Sequence, residues 1–411
     1  MPPRAEAPDG VARALMVGLL LANTVLQKIA LPGSGGGLPL SLPVTFGLLG
    51  AGIALGRLVP LASVALALVA TAGALVLTTG LSPMPGFSAN AAALVLTLLI
   101  PYAFSFRPGL LPRDFAYGLF VSAALVFAVI GIVQFFAQFV IGADRAFLLD
   151  TALPETLILS GFNNLNELTY ESSIYKTNGF FLLEASFLNQ MLCVAVLIEL
   201  ITRRRLPCLA LLVAGILVTY SGTGLMMLAA IAPAYLIEKR QLGLLIFGAV
   251  AAVAFVLVAD TIGLGLFIDR AAEFNSRDSS AFARFLSIFY LMADYVWTSP
   301  AGILFGNGPG SVREHFLSVN FAPFDPSWGK IMYEYGVIGF AAYFSFIFFC
   351  VFRSEGSLYL KFALILQFMF LGGYVAIMPV HIEIWMLLIW PVPAASAAAV
   401  IRRPALLARL A

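Results

Sequence analysis

Twelve stretches of this chain are apolar over close to the length that an α-helix needs to cross bilayer hydrocarbon, roughly 20 residues at about 1.5 Å rise each. They cover 11–30, 38–55, 60–81, 88–104, 115–141, 180–201, 206–220, 222–237, 242–258, 330–352, 358–380 and 382–401. Backbone groups in lipid must be satisfied within their own segment, so runs of this kind fold as helices. With 61% hydrophobic and 11% charged residues among 411, too few polar side chains remain to cover a water-soluble globule. The expectation is an all-α polytopic membrane protein of about 12 transmembrane helices, one integral unit over 1–411. The apolar stretch after the polar first nine residues reads as a retained span, because no small-residue cleavage site follows it.

Charge placement supplies an orientation. With the amino terminus cytoplasmic, fifteen of the 23 basic residues fall in inner loops and flanks, among them Arg57, Arg107, Arg113, Arg203, Arg204, Arg205, Lys239, Arg240 and Arg353. Four short outer loops, at 32–37, 82–87, 220–222 and 379–381, carry no Lys or Arg, as the positive-inside rule requires. Both termini are then cytoplasmic. Seven of the eight remaining basic residues, Arg145, Lys176, Arg270, Arg277, Arg284, Arg313 and Lys330, lie in or beside two long outer segments, 142–179 and 260–329. Membrane insertion gives them no reason to be there, so they point to function. Within the spans, Lys28, Glu184, Glu334 and Glu383 lie within about two helical turns of the outer face. Glu199 and Lys361 lie near the inner face, and intramembrane charge usually marks a site or pathway.

Three constellations carry chemistry. From Arg277 to Trp297, helical spacing places Arg277, Ser280, Arg284, Ser287 and Asp294 on one arc, and Phe282, Phe285, Phe289 and Met292 on the other, with Leu291 a misfit. This describes a surface helix whose arginines either touch lipid phosphate or, in register, grip a diphosphate through guanidinium forks. If the helix begins only at Ser280, Arg277 leaves the stripe. The segment Tyr175 to Gln190 sets Lys176 outside the membrane and Glu184 about one turn within, where Glu184 is either a general base or an ion-pair strut. Asp325, before Pro326, is a helix cap or a reacting carboxylate. The turn Gly306-Asn-Gly-Pro-Gly310 lacks the preceding strand of a nucleotide loop and reads as a tight turn.

Other classes find little support. The basic residues form no nucleic-acid patch, and Cys193, Cys208 and Cys350 all sit in apolar segments. With only His315 and His381 and no clustered Cys/His spacing, neither a metal nor any other cofactor is expected.

Taken in order, Asn178-Gly-Phe-Phe-Leu-Leu-Glu-Ala-Ser-Phe-Leu, Tyr220-Ser-Gly-Thr-Gly-Leu225, the Arg277/Arg284 pair, Phe305-Gly-Asn-Gly-Pro-Gly310 and Tyr333-Glu-Tyr-Gly-Val-Ile-Gly-Phe340 resemble the O-antigen ligase and polysaccharide polymerase superfamily of bacterial membrane glycosyltransferases. The resemblance implies ten to fourteen spans and metal-independent transfer of a glycan from undecaprenyl diphosphate to an acceptor hydroxyl at the outer face of the plasma membrane. It assigns Arg277 and Arg284 to the leaving diphosphate, with Lys176, at a position where the family commonly has Arg, and Arg313 as further diphosphate contacts. Glu184 or Asp325 would take the hydroxyl proton. Family ligases usually carry a His where this chain has Asp325, which favours a repeat-unit polymerase over a lipid A-core ligase. A lipid-linked oligosaccharide, membrane lipid, and a chain-length regulator or flippase are the implied partners. The competing classes are a transporter or lipid-linked-glycan flippase, for which Asn189 and Gln190 are the supporting residues, and an assembly protein using its outer loops for contact.

Overall fold

A computed structural model describes residues 9–34, 37–83, 87–168, 172–258, 277 and 279–390. Asp260, Asp269 and Arg270, most of the last apolar stretch and the chain termini lie outside the described residues, so the placement of both termini does too.

Each apolar stretch contains a helix. In chain order these are α1 (Gly10–Val25), α2 (Ser41–Ala54), α3 (Ala62–Leu81), α4 (Ala89–Leu99) and α5 (Arg113–Ile141). Two short helices, α6 (Ala143–Ala146) and α7 (Leu148–Ala152), begin the 142–179 segment. Then come α8 (Ala185–Ile201), α9 (Leu206–Val218), α10 (Thr223–Glu238) and α11 (Leu242–Val258). The 260–329 segment holds α12 (Ser280–Phe285), α13 (Ser287–Tyr295), α14 (Pro300–Phe305) and α15 (Ser311–Glu314), and the chain continues through α16 (Ser327–Arg353), α17 (Leu358–Phe370) and α18 (Met378–Leu388).

Three of these, α3, α5 and α16, are long and apolar enough to cross a membrane. The other apolar helices run 10–17 residues, short of the roughly 20 that a crossing takes. Helix length alone therefore carries three spans. Bulky apolar side chains such as Leu66, Val69, Val140 and Phe247 face outward, as suits helices immersed in lipid rather than water.

The helices depart from the sequence expectation at four places. The chain is not wholly α: β1 (Leu58–Pro60) pairs antiparallel with β2 (Phe104–Phe106) in a two-stranded ribbon. The apolar run 358–380 is not one helix. It breaks after Phe370, and residues 371–377 form an irregular loop with one 3-10 turn, Tyr374–Ala376, before α18. Gly372-Gly373, helix-weakening and conformationally free, mark the break. The run 180–201 becomes helical only at Ala185, because Gly179 (φ 66°) and Phe180 (φ 68°) are both left-handed, so Glu184 caps α8 instead of lying one turn inside it. Finally, the surface helix is split at Leu286 and starts at Ser280, whose preceding Ser279 side chain accepts from the Phe282 amide. Arg277 is thus off the helix, and the two-arginine stripe does not form.

α13 buries Ser287, Ile288, Leu291 and Met292, while Phe289 faces outward. The expected misfit Leu291 is inside and Phe289 outside because α13 packs against Val312 and Tyr333 in a small core of its own.

The Gly306–Gly310 segment is a tight turn with a structural task. α16 bends at Gly336 (φ 64°), which strips the Tyr333 and Glu334 carbonyls of their helical donors. The amides of Asn307 and Gly308 donate to those two carbonyls, each at 2.9 Å. Close approach of the two backbones requires glycine on both sides: a Cβ on Gly306 would overlap the Glu334–Tyr335 peptide, and one on Gly336 the Leu304–Phe305 peptide.

Candidate functional site

The segments 142–179 and 260–329 meet over the bent start of α16 and the 371–377 loop. Between them lies a cavity of about 300 Å³ whose charged lining is Glu184, Arg284, Arg313 and Asp325, with Phe162, Phe324 and Tyr374 among its aromatic walls.

Local sequence explains how each charge arrives. The left-handed pair at Gly179 and Phe180 turns the chain so that Glu184 stands at the mouth of α8. Asn178, which donates to Asp150 Oδ2 at 3.1 Å and to the Asn164 carbonyl at 3.0 Å, anchors that turn. Glu184 Oε1 accepts from the Asn163 amide at 3.1 Å and Oε2 from the Ser186 hydroxyl at 3.0 Å. Arg284, in the last turn of α12, donates through Nη2 to Glu184 Oε2 at 3.2 Å and through Nη1 to the Leu371 carbonyl at 3.2 Å, with its guanidinium over the Phe324 ring. Glu184 thus makes the ion pair that the strut reading expects.

Asp325 is not a helix cap, since Pro326 occupies that position without a side-chain bond. Its carboxylate instead pairs with Lys330 Nζ at 3.3 Å and lies 3.6 Å from Arg313 Nε. Lys330 continues to the fully buried Glu334 at 2.7 Å, giving a relay that runs from the exposed Arg313 into the bundle. Removing one member of such a relay would strand its buried partner.

Two expected members stand elsewhere. Arg277 lies over the Tyr290 ring, 5.6 Å from its centroid, and does not line the cavity. Lys176 is half-buried, its amide donating to the Asn166 carbonyl at 2.8 Å, and it does not line the cavity either. His315 is held in an aromatic clamp, its Nδ1 2.7 Å from Tyr333 Oη and its ring stacked on Tyr295 at 4.0 Å.

Sequence reasoning missed the 371–374 corner and Asp150. The corner supplies the carbonyl that positions Arg284. Asp150 pairs with the buried Lys28 at 2.6 Å, which ties the chain just beyond α1 to the 142–179 segment. Asn189 is accounted for structurally: it donates to Thr219 Oγ1 at 2.9 Å and accepts from the Gly224 amide at 2.7 Å. The Tyr220–Leu225 motif thus serves packing between α8 and α10, because a Cβ on Gly224 would collide with Asn189.

The arrangement can do two things chemically. Two guanidinium groups face one hollow, where they can hold an anion, and each stands beside a carboxylate that can accept a proton, Glu184 at Arg284 and Asp325 at Arg313. In comparisons with known proteins, no family model, no curated protein and no solved structure matches this chain.

Proposed function

We propose that this chain is a polymerase that transfers undecaprenyl-diphosphate-linked glycan repeat units onto a sugar hydroxyl at the outer face of the bacterial plasma membrane, as a protein of about twelve spans with cytoplasmic termini. The observation that supports this reading is the shared cavity of Arg284, Arg313, Glu184 and Asp325. A diphosphate entering it meets Arg284 and Arg313. Phosphate oxygens compete with Glu184 for the Arg284 fork, and the displaced carboxylate becomes available to take the proton of an attacking hydroxyl. Cations already in place where charge gathers on the departing diphosphate lower the barrier without reorganisation. Arg277 and Lys176 lie outside the cavity and have no part in this scheme.

Purified protein incubated with a defined lipid-linked oligosaccharide should yield longer products on a gel. Arg284→Ala should abolish them while the protein remains in the membrane fraction, and undiminished chain lengths in that variant would remove the role. A product attached to lipid A-core would instead indicate ligation. Translocation is the second reading, favoured by Gln190, which lines a small cavity inside the bundle. Movement of unaltered lipid-linked glycan across vesicles would identify it.

A further inference from the structure

One face of α13 stays open among the described residues. Ser287, Ile288, Leu291 and Met292 turn inward, which leaves Phe289, Tyr290, Ala293 and Asp294 on the opposite side and Trp297 in the turn that follows. This is not the apolar arc expected from helical spacing, since Phe282 and Met292 are buried in the fold. Phe289 and Tyr290 are each 45% exposed and Trp297 47%. Three aromatic side chains held this far open along one short stretch form a patch that a water-facing surface rarely carries.

Ring contacts run from this face to the bundle. Phe289 meets Trp328, in the first turn of α16, with centroids 5.2 Å apart, and Trp328 meets Phe370, at the end of α17, at 6.5 Å. Phe370 is itself 44% exposed. α16 is long and apolar enough to cross a bilayer, and beyond its bend Val337 and Ile338 are exposed, as lipid-facing side chains are. Its 27 residues reach at most about 40 Å at 1.5 Å each, more than the roughly 30 Å of hydrocarbon. The end that carries Trp328 therefore stands where acyl chains give way to headgroups, and the open face of α13 continues that surface.

The side chains suit such a boundary. Tyr and Trp join an apolar ring to a polar tip and settle at the bilayer interface. The exposed Arg277 lies over the Tyr290 ring, 5.6 Å from its centroid, where its guanidinium can reach lipid phosphate while its stem stays on apolar surface. Asp294 offsets that charge, so the face is neutral among the described residues and the aromatic rings, not an anionic lipid, decide the contact.

We propose that the open face of α13, with Arg277, is seated in the bilayer interface. Phe289, Tyr290 and Trp297 enter the layer between headgroups and acyl chains, and Arg277 meets phosphate. Leu286 alone separates α13 from α12, so the seat also holds Arg284 close to the headgroup layer. The seat stands independently of what the cavity does, because it rests on exposure, ring contacts and helix length.

The test is spin-label accessibility of the full-length protein in phosphatidylcholine nanodiscs, with Cys208 replaced and Cys193 and Cys350 left buried. A nitroxide on Ala293→Cys, in the middle of the open face, should collide more with dissolved oxygen than with a neutral nickel chelate. One on Asn320→Cys, an exposed residue outside α13, should show the reverse. Nickel collisions at position 293 that match those at 320 would put the face in water and overturn the seat. Dipolar broadening between labels at 293 would put a second copy of the chain there and overturn it equally. Trp297 gives a second measurement without a label. Acyl-chain-brominated lipid should quench wild-type emission, and the quenched share should fall in Trp297→Phe, since Trp385 and Trp390 are buried. Equal quenching of the two proteins would overturn the proposal.

Discussion

Arg284 is the side chain on which the cavity turns, because among the described residues it alone touches Glu184, the 371–374 corner and the Phe324 ring together. Its geometry uses separate guanidinium nitrogens for separate partners, which an ammonium cannot reproduce. Arg284→Lys should therefore lower chain extension about tenfold or more despite keeping the charge, measured as product length against time. Arg277→Ala should leave extension unchanged, since its guanidinium sits over Tyr290 outside the cavity. Glu184→Gln distinguishes the two roles open to that residue. An amide oxygen still accepts from Arg284, so a strut alone predicts retained extension, whereas a proton acceptor predicts its loss in protein of normal abundance.

Among the elements, the bend in α16 is the most constrained. Gly336 is left-handed and pressed against the Leu304–Phe305 peptide, so Gly336→Ala meets both strain and overlap. It should destabilise the protein by about 2 kcal/mol or more, read as a lowered midpoint in thermal unfolding. Gly47→Ala, whose added Cβ meets nothing within 4 Å, is the matched control and should be neutral or slightly stabilising. Helix existence was legible from apolar length, and four of the six expected site residues, Glu184, Arg284, Arg313 and Asp325, share one cavity. Helix ends were less legible. Apolar composition runs unbroken through 371–380, so only Gly372-Gly373 signalled the corner, and composition carries no trace of the left-handed turn that delays α8 to Ala185. The split at Leu286 was hidden because amphipathic spacing continues across it. The small cavity inside the bundle was illegible for another reason: Asn23, Gln27, Gln367 and Glu383 come from three apolar stretches, and only packing brings them to one lining.

For the molecule as a whole, the open quantity is which way it faces. The charge asymmetry predicts residue 320 outside and residue 239 inside. Cys193 and Cys350 are buried, so replacing the half-buried Cys208 leaves a quiet background for labelling. A membrane-impermeant maleimide should modify Asn320→Cys in intact cells and Lys239→Cys only after permeabilisation. The reverse pattern would place the cavity on the cytoplasmic side and end its link to an outer-face donor.

The marriage of the 306–310 turn to the bend at Gly336 also constrains the order of biogenesis. Until that turn docks, a bent α16 would expose two bare carbonyls to hydrocarbon, at several kcal/mol each. The newborn helix therefore enters the bilayer straight, or enters already latched to the upstream turn. In either route the cavity is complete only once the downstream 371–377 loop that lines it has been made.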